Sequence, residues 1–435
     1  INPIFVFGHY PSNPSFDLII DKNPRKQHIL SKDKTYQLFN DEFKFFNNVL
    51  IPFVNRHYNK SLNNLDTWLN CDYDKLKEIK NDPNNCYGNR RTIPDDSEII
   101  IIGDIHSSFV SFMHIFNDLI SKRTYFVDST LKLQKNKYLI FTGDIIDYGP
   151  YGLECLWFVF TLLYHNPENV IILKGNHENN SQYTQAYQNG INFSKQLEQQ
   201  LEVKNVKDLI KNKLALLPTV IFINLKGETY QFNHGSIDFD IAGFDDETQR
   251  FKTEDSTIYR FINNPDVNID KIFINLSLEG QQNTYQWGDF YYNPDTPSIE
   301  SDRKIQDLKG RYGADYLKYL KAKPYVARPI HHFSLVEDYL IRNNIKSIIS
   351  GHQDNVALGI LPTNPSTREI DIGNNEKLNY DRSDGLIVTA FERDDKLTRD
   401  EYEIVLNPGL DMYAVTLSTA VHSKYVNYAT YAILG

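Results

Sequence analysis

The chain has 435 residues, with 46 basic against 56 acidic side chains and a formal charge of −10. Its length exceeds one average domain but suits a single large α/β unit carrying insertions. No long basic block is present, so phosphate-backbone binding is disfavoured and nucleic acid is not expected as a partner.

Cys71, Cys86 and Cys155 form no CxxC pattern, and so sparse a set fits a reducing compartment better than a disulfide-built module. The longest apolar run, 153–165, is too short to span a bilayer, so no membrane span is expected. Ile1 opens the chain without a basic-then-apolar leader, which predicts no signal peptide and leaves a trimmed targeting segment open.

Residues 1–97 read as a polar, aromatic extension with a helix at 41–59, where Phe43, Phe46, Val49, Leu50 and Phe53 recur at helical spacing. The turn-rich stretch 81–96 reads as a linker or surface loop. From 98 the character changes. Three continuous apolar runs, 98–104, 138–144 and 169–176, each end in glycine plus a residue able to hold a metal. Between them, 109–120 and 152–166 are long enough for helices. Such alternation predicts strands buried on both faces. Later runs at 219–225, 229–235, 345–352, 384–391, 402–407 and 413–419 predict a second, more mixed sheet, with a polar helix at 195–213 bridging the halves. The stretch 236–330 is hard to read, and 292–323 looks like an inserted helical or loop element.

At the strand ends stand Asp104 and His106, Asp144 and Asp147, Asn176 and His177, His234, and His352. Ligands in open α/β sheets bind beyond the carboxyl ends of strands. Asp104 and His106 are two apart, so in extended chain both side chains point the same way. A mixed nitrogen and oxygen donor set suits Mn, Fe or Zn better than a thiolate zinc site. A bridging carboxylate would hold two ions about 3.5–4 Å apart. Taken singly, an aspartate after a strand is usually a turn former and a lone histidine a structural one. Five such groups in order outweigh that reading. His9, His28, His57, His114 and His165 lack this context.

The motifs "GDIH" (103–106), "GDIIDYG" (143–149), "GNHE" (175–178), "NHGS" (233–236) and "SGHQ" (350–353) resemble the ordered signature of calcineurin-like metallophosphoesterases, and more narrowly the phosphoprotein phosphatase family. Segments 164–178, 215–223, 339–353 and 413–425 follow that family's pattern too. The resemblance implies an α/β fold, a four-layer β-sandwich flanked by helices. A catalytic domain would cover 98–435 with an insertion near 290–325, and 1–97 would form a mostly helical extension. It implies two divalent ions, Mn2+ foremost and Fe or Zn as alternatives. Asp104 and His106 would ligate one and Asn176, His234 and His352 the other, with Asp144 bridging. A metal-bound hydroxide would attack phosphorus in line, while His177, oriented by Asp147, protonates the leaving oxygen.

Departures from the family pattern concern the phosphate clamp. Tyr148 stands where the family has arginine, Lys174 replaces the arginine before "GNHE", and His422 aligns with an active-site tyrosine. Arg328 falls where the family keeps its second phosphate-binding arginine. His331 and His332 beside it could contribute to the clamp, although polar side chains on the surface are the expected reading. A tyrosine hydroxyl cannot replace a bidentate guanidinium, but its ring could pack on a phosphotyrosyl ring. The expected substrate is therefore a phosphoprotein, leaning to phosphotyrosine. Alternatives are standard Ser/Thr specificity, a small-molecule phosphoesterase of dinucleoside polyphosphate type, or an inactive binding module. Composition and the extension resemble the Wip-type effector phosphatases of bacteria. A cytosolic location follows, in a host cell if the chain is a secreted effector, with partner proteins reached through 1–97 and the insertion.

Overall fold

The computed structural model describes residues 88–108, 131–148, 152–178, 217–238, 256–264, 284–290, 333–352, 358–362, 386–392, 401–406, 412–418 and 428–435, with isolated positions between them. The helix at 41–59, the polar helix at 195–213 and nearly all of the 290–325 insertion lie outside these residues.

The strands, in chain order, are β1 (Gly88–Thr92), β2 (Glu98–Ile102), β3 (Lys137–Phe141), β4 (Val170–Ile172), β5 (Val220–Leu225), β6 (Glu228–Asn233), β7 (Phe244–Asp245), β8 (Arg250–Phe251) and β9 (Asp289–Phe290). They continue with β10 (Ile330–His331), β11 (Ser347–Ser350), β12 (Leu358–Pro362), β13 (Leu386–Glu392), β14 (Glu401–Leu406), β15 (Met412–Leu417) and β16 (Tyr428–Leu434). Four helices have defined bounds: α1 (Gly152–His165), α2 (Thr257–Asn263), α3 (Thr284–Trp287) and α4 (Phe333–Asn343).

Two six-stranded sheets carry the fold, ordered β14-β13-β16-β2-β3-β4 and β1-β5-β6-β11-β15-β12. In the first, β2, β3 and β4 run parallel, as continuous apolar strands joined by helical crossovers should. Ile99 to Ile102 of β2 are fully buried. Phe112 and Phe116, from the crossover after β2, pack edge-on against each other and against Phe158 of α1, and Phe112 also meets Phe141.

The second sheet shows how alternation builds layers. Along β5, Ile221 and Ile223 join the large core shared with the first sheet, while Val220 and Phe222 turn to a smaller core under α2 and α4. Period-two alternation of apolar residues gives both faces of the strand an apolar partner. Ser256 caps α2, accepting from Tyr259 N at 2.9 Å, and its hydroxyl lies 2.5 Å from Asn343 Oδ1 of α4. That tie fixes the two helices against each other.

The structure corrects two expectations. Strands β5, β6, β11 and β15 form the second sheet as anticipated, but β13 and β14 extend the first, antiparallel through β16. The stretch 81–96 contains an edge strand: β1 pairs in parallel with β5. Its polar side chains disguise it. Arg90 donates to Asn264 O at 2.7 Å and lies over the Phe261 ring, and Arg91 donates to Glu168 O at 2.7 Å. Strands β12 and β16 were not anticipated either.

Candidate active site

Beyond the carboxyl ends of β2, β3, β4, β6 and β11 the chain delivers eight buried polar residues to one place: Asp104, His106, Asp144, Asp147, Asn176, His177, His234 and His352. The sheets meet there, with Asp104 bridging to Ser418 just after β15. Ten described non-glycine residues have positive φ, and six of them are His106, Ser107, Asp144, Asp147, Tyr148 and His352. That conformation costs an L-residue about 1 kcal/mol or more and concentrates where side chains must be aimed.

Glu178 binds the loops together. Its carboxylate accepts from Asp144 N and Ile145 N at 2.8 Å each and from Gly175 N at 2.9 Å. The loops approach so closely that a Cβ at Gly175 would strike Asp144 and Glu178, so only glycine fits. Burial raises the Glu178 pKa and the charge of Asp144 adds to it.

Asp144 is the hub. Its Oδ1 accepts from His177 N at 2.9 Å. Around Oδ2 lie three imidazole Nε2 atoms: His234 at 3.1 Å, His106 at 3.4 Å and His177 at 3.9 Å. Backbone carbonyls orient two of these rings. His106 Nδ1 lies 3.0 Å from Ile146 O, and His234 Nδ1 lies 2.9 Å from Thr142 O. With Nδ1 donating to a carbonyl, Nε2 of the neutral ring is left as a lone pair facing the hub. Asn176 Oδ1 lies 2.9 Å from His234 Nε2 and 3.0 Å from His352 Nδ1. Asp104 Oδ1 accepts from His352 N at 2.9 Å and lies 3.6 Å from His234 Nδ1.

Among the described residues, donor atoms within 4.8 Å of one another form two groups, His106–Asp144–His177 and Asp144–His234–His352. Asp144 belongs to both. The first contains His177 where the sequence reading has Asp104; Asp104 lies against His234 and His352.

Electrostatics show what the cluster needs. Burial opposes ionisation of Asp144, but His234, His177 and His106 outweigh it and hold its pKa well below the carboxylate range. Burial alone would lower His177 and His234. The charge of Asp144 reverses this in both, helped by Asp147 at His177 and by Asp104 at His234, and each rises to about 9. Buried carboxylates thus draw positive charge into the site, and a dication would supply it in place of protons. The donor set and its fixed tautomers fit a pair of divalent ions.

The remaining candidates surround this centre. Asp147 Oδ2 lies 2.9 Å from His177 Nδ1, and its Oδ1 accepts from Phe193 N at 2.7 Å. Tyr148 is half-buried, its ring edge-on to His106 at 4.6 Å and tilted on His177 at 5.0 Å. Lys174 is buried, which lowers its pKa to about 7 although Glu178 pulls the other way. Arg328 and His422 lie outside the described residues. His331 corrects the surface reading: it is fully buried, with Nδ1 2.6 Å from Ser236 Oγ. Glu178 and Asp289 escaped the sequence reading; Asp289 Oδ1 lies 3.7 Å from His352 Nε2. The only sequence signal for Glu178 was its place in "GNHE", and Asp289 sits in the stretch that was hard to read.

The sequence model of one family, described as calcineurin-like phosphoesterase, matches residues 97–354, more than half of the chain. The chain belongs to the calcineurin-like phosphoesterase family. Every residue of the cluster lies within the matched span. Its relatives include the serine/threonine-protein phosphatase 6 catalytic subunit of Caenorhabditis elegans, 33% identical over 86 residues, which are 20% of this chain and 22% of that protein. Serine/threonine-protein phosphatase 5 of Arabidopsis thaliana is 27% identical over 135 residues, 31% of this chain and 22% of that protein. The chain thus spans about a fifth of the length of these two relatives. A protein serine/threonine phosphatase structure from Saccharomyces cerevisiae, with similarity to human PP5, aligns over 80% of this chain and 78% of that one. Its identity is 14% and its TM-score 0.40. No described helix is long and apolar enough to cross a membrane.

Proposed function

We propose that this chain is a two-metal phosphatase that hydrolyses phosphomonoesters on protein side chains. The observation that carries the reading is Asp144, shared by two donor groups with three imidazoles turned onto one carboxylate oxygen. Asp104, His106, Asp144, Asn176, His234 and His352 would hold the ions. When bound, such a pair supplies charge neutralisation for a phosphoryl group and acidifies water.

The protein's own contribution is positioning and proton delivery. His177 presents Nε2 at the hub while Asp147 holds Nδ1, the arrangement that keeps an imidazolium aimed at a leaving oxygen. The Asp147 carboxylate on Nδ1 favours the protonated ring that a proton donor needs. Phe193 N in turn fixes Asp147. Tyr148 covers the edges of His106 and His177, giving the site an aromatic wall where a guanidinium would grip phosphate. This wall supports an aromatic leaving group, hence phosphotyrosine over phosphoserine, with Arg328, Lys174 and His422 as candidate phosphate-side contacts. Cytosolic action, in a host cell for a bacterial effector, belongs to the same proposal and rests on the sparse cysteines.

The test is to strip the protein with a chelator, add Mn2+, and count ions while assaying phosphotyrosyl, phosphoseryl and phosphothreonyl peptides beside diadenosine tetraphosphate. The expected result is two ions per chain and phosphopeptide turnover that returns with them, fastest for phosphotyrosine. Faster phosphoserine turnover would overturn the tyrosine preference. Hydrolysis of the dinucleotide alone would overturn the protein substrate.

A further inference from the structure

We propose that Asp289 is a positioning residue for His352, holding its imidazole in the orientation that turns Nδ1 to the metal centre. The inference rests on the two-ion reading above. The two nitrogens of His352 face opposite ways. Nδ1 lies 3.0 Å from Asn176 Oδ1 and 3.2 Å from His234 Nε2, inside the cluster. Nε2 faces outward, with Asp289 Oδ1 3.7 Å away, inside ion-pair range. A carboxylate on the far nitrogen of a ligating histidine fixes the ring, selects the tautomer and raises ligand basicity. His106 and His234 have hydrogen-bonded backbone carbonyls for this purpose; the counterpart at His352 is a carboxylate at ion-pair distance.

The position of Asp289 is itself heavily determined. The turn from α3 into β9 is tied to the loop after β6: Ser236 N donates to Thr284 O at 3.0 Å, Gly235 N to Tyr285 O, and Asn233 Nδ2 to Tyr285 O at 3.3 Å. Gly288, immediately before Asp289, packs so tightly on Ser236 that a Cβ there would collide with its hydroxyl oxygen. On the other side β9 pairs with β10, placing Asp289 opposite Ile330. The same turn sets the Trp287 ring edge-on to His352 at 5.9 Å, closing a second side of the imidazole. A carboxylate held by so many ties, nine-tenths buried and aimed at a histidine, restricts that ring far more than a loop residue could.

Chelator-stripped wild type, Asp289→Ala and Asp289→Asn are titrated with Mn2+ by calorimetry, and each is melted in the metal-free form. Wild type takes up two ions. Asp289→Ala binds one of them about 10- to 100-fold more weakly, while Asp289→Asn, which keeps an oxygen acceptor, loses less. Metal-free melting temperatures stay within about 2 °C of wild type, since the tie acts through bound metal. Wild-type affinity for both ions in Asp289→Ala overturns the inference. Equal losses in the two variants overturn it as well, because they mark a direct ligand, and so does metal-free melting that falls in step with affinity. A wild type that binds no pair of ions removes the two-ion reading instead.

Discussion

The two sheets serve the site in different ways. The first delivers Asp104, His106, Asp144, Asp147, Asn176 and His177 from the ends of three neighbouring parallel strands, and Glu178 stitches two of their loops together through backbone N–H groups. Among the described residues, the second delivers His234 and His352, from β6 and β11. Both are tied to the first: the Thr142 carbonyl orients the His234 ring, and the Asp104 carboxylate accepts from the backbone N–H of His352. The first half is therefore a frame and the second is registered on it. Damage to the frame should spread across the centre, whereas damage on the second side should stay local.

Asp144→Asn gives the harshest test, because Asp144 belongs to both donor groups. We expect turnover to fall by about 10³-fold or more and both ions to be lost by elemental analysis. Retention of one tight ion would show that the halves are more independent than described. His177→Ala should lower kcat by about 10²-fold with two ions kept, and aryl phosphates with acidic leaving groups should suffer less than peptides. Equal losses on both substrate types would remove the proton-donor role. Glu178→Gln strikes the frame without replacing a candidate ligand. An amide cannot replace both carboxylate oxygens as acceptors, so a buried N–H is orphaned at about 1–3 kcal/mol. Chemical denaturation of the metal-free protein should register that loss, and an unchanged midpoint would deny the clamp.

On the second side, His331 gives an effect confined to acid, with a direction in pH. Burial depresses its pKa to about 4, against an ordinary value near 6.5. A depressed folded-state value means its contribution is complete above about pH 6.5 and is lost as pH falls towards 4, by up to about 3 kcal/mol. His331→Gln should flatten that part of the stability profile relative to wild type. Parallel profiles would place the acid sensitivity elsewhere.

The difference between the sheets also explains what could be read from sequence. Each first-sheet donor follows a buried apolar run at a fixed short distance, so local pattern alone finds Asp104, Asp144 and Asn176. His234 and His352 follow similar runs and were found the same way. Sheet membership was not legible, because β13 and β15 share one kind of apolar pattern yet lie in different sheets. Glu178 acts through N–H groups more than thirty positions upstream, a relation absent from its own neighbourhood. Asp289 lies on a two-residue strand with no periodicity to mark it. The left-handed backbone at Asp144, Asp147 and Tyr148 was hidden too, because none of these is glycine.

Strand β16 has a consequence for biosynthesis. It sits between β13 and β2, pairing Tyr431 with Ile102 and Leu434 with Ile99. A ribosome that has translated through His352 has already supplied every candidate ligand, yet β2 still lacks its neighbour on that flank and exposes a row of unpaired amides. On a nascent polypeptide that flank of β2 therefore stays open until residues 428–434 emerge.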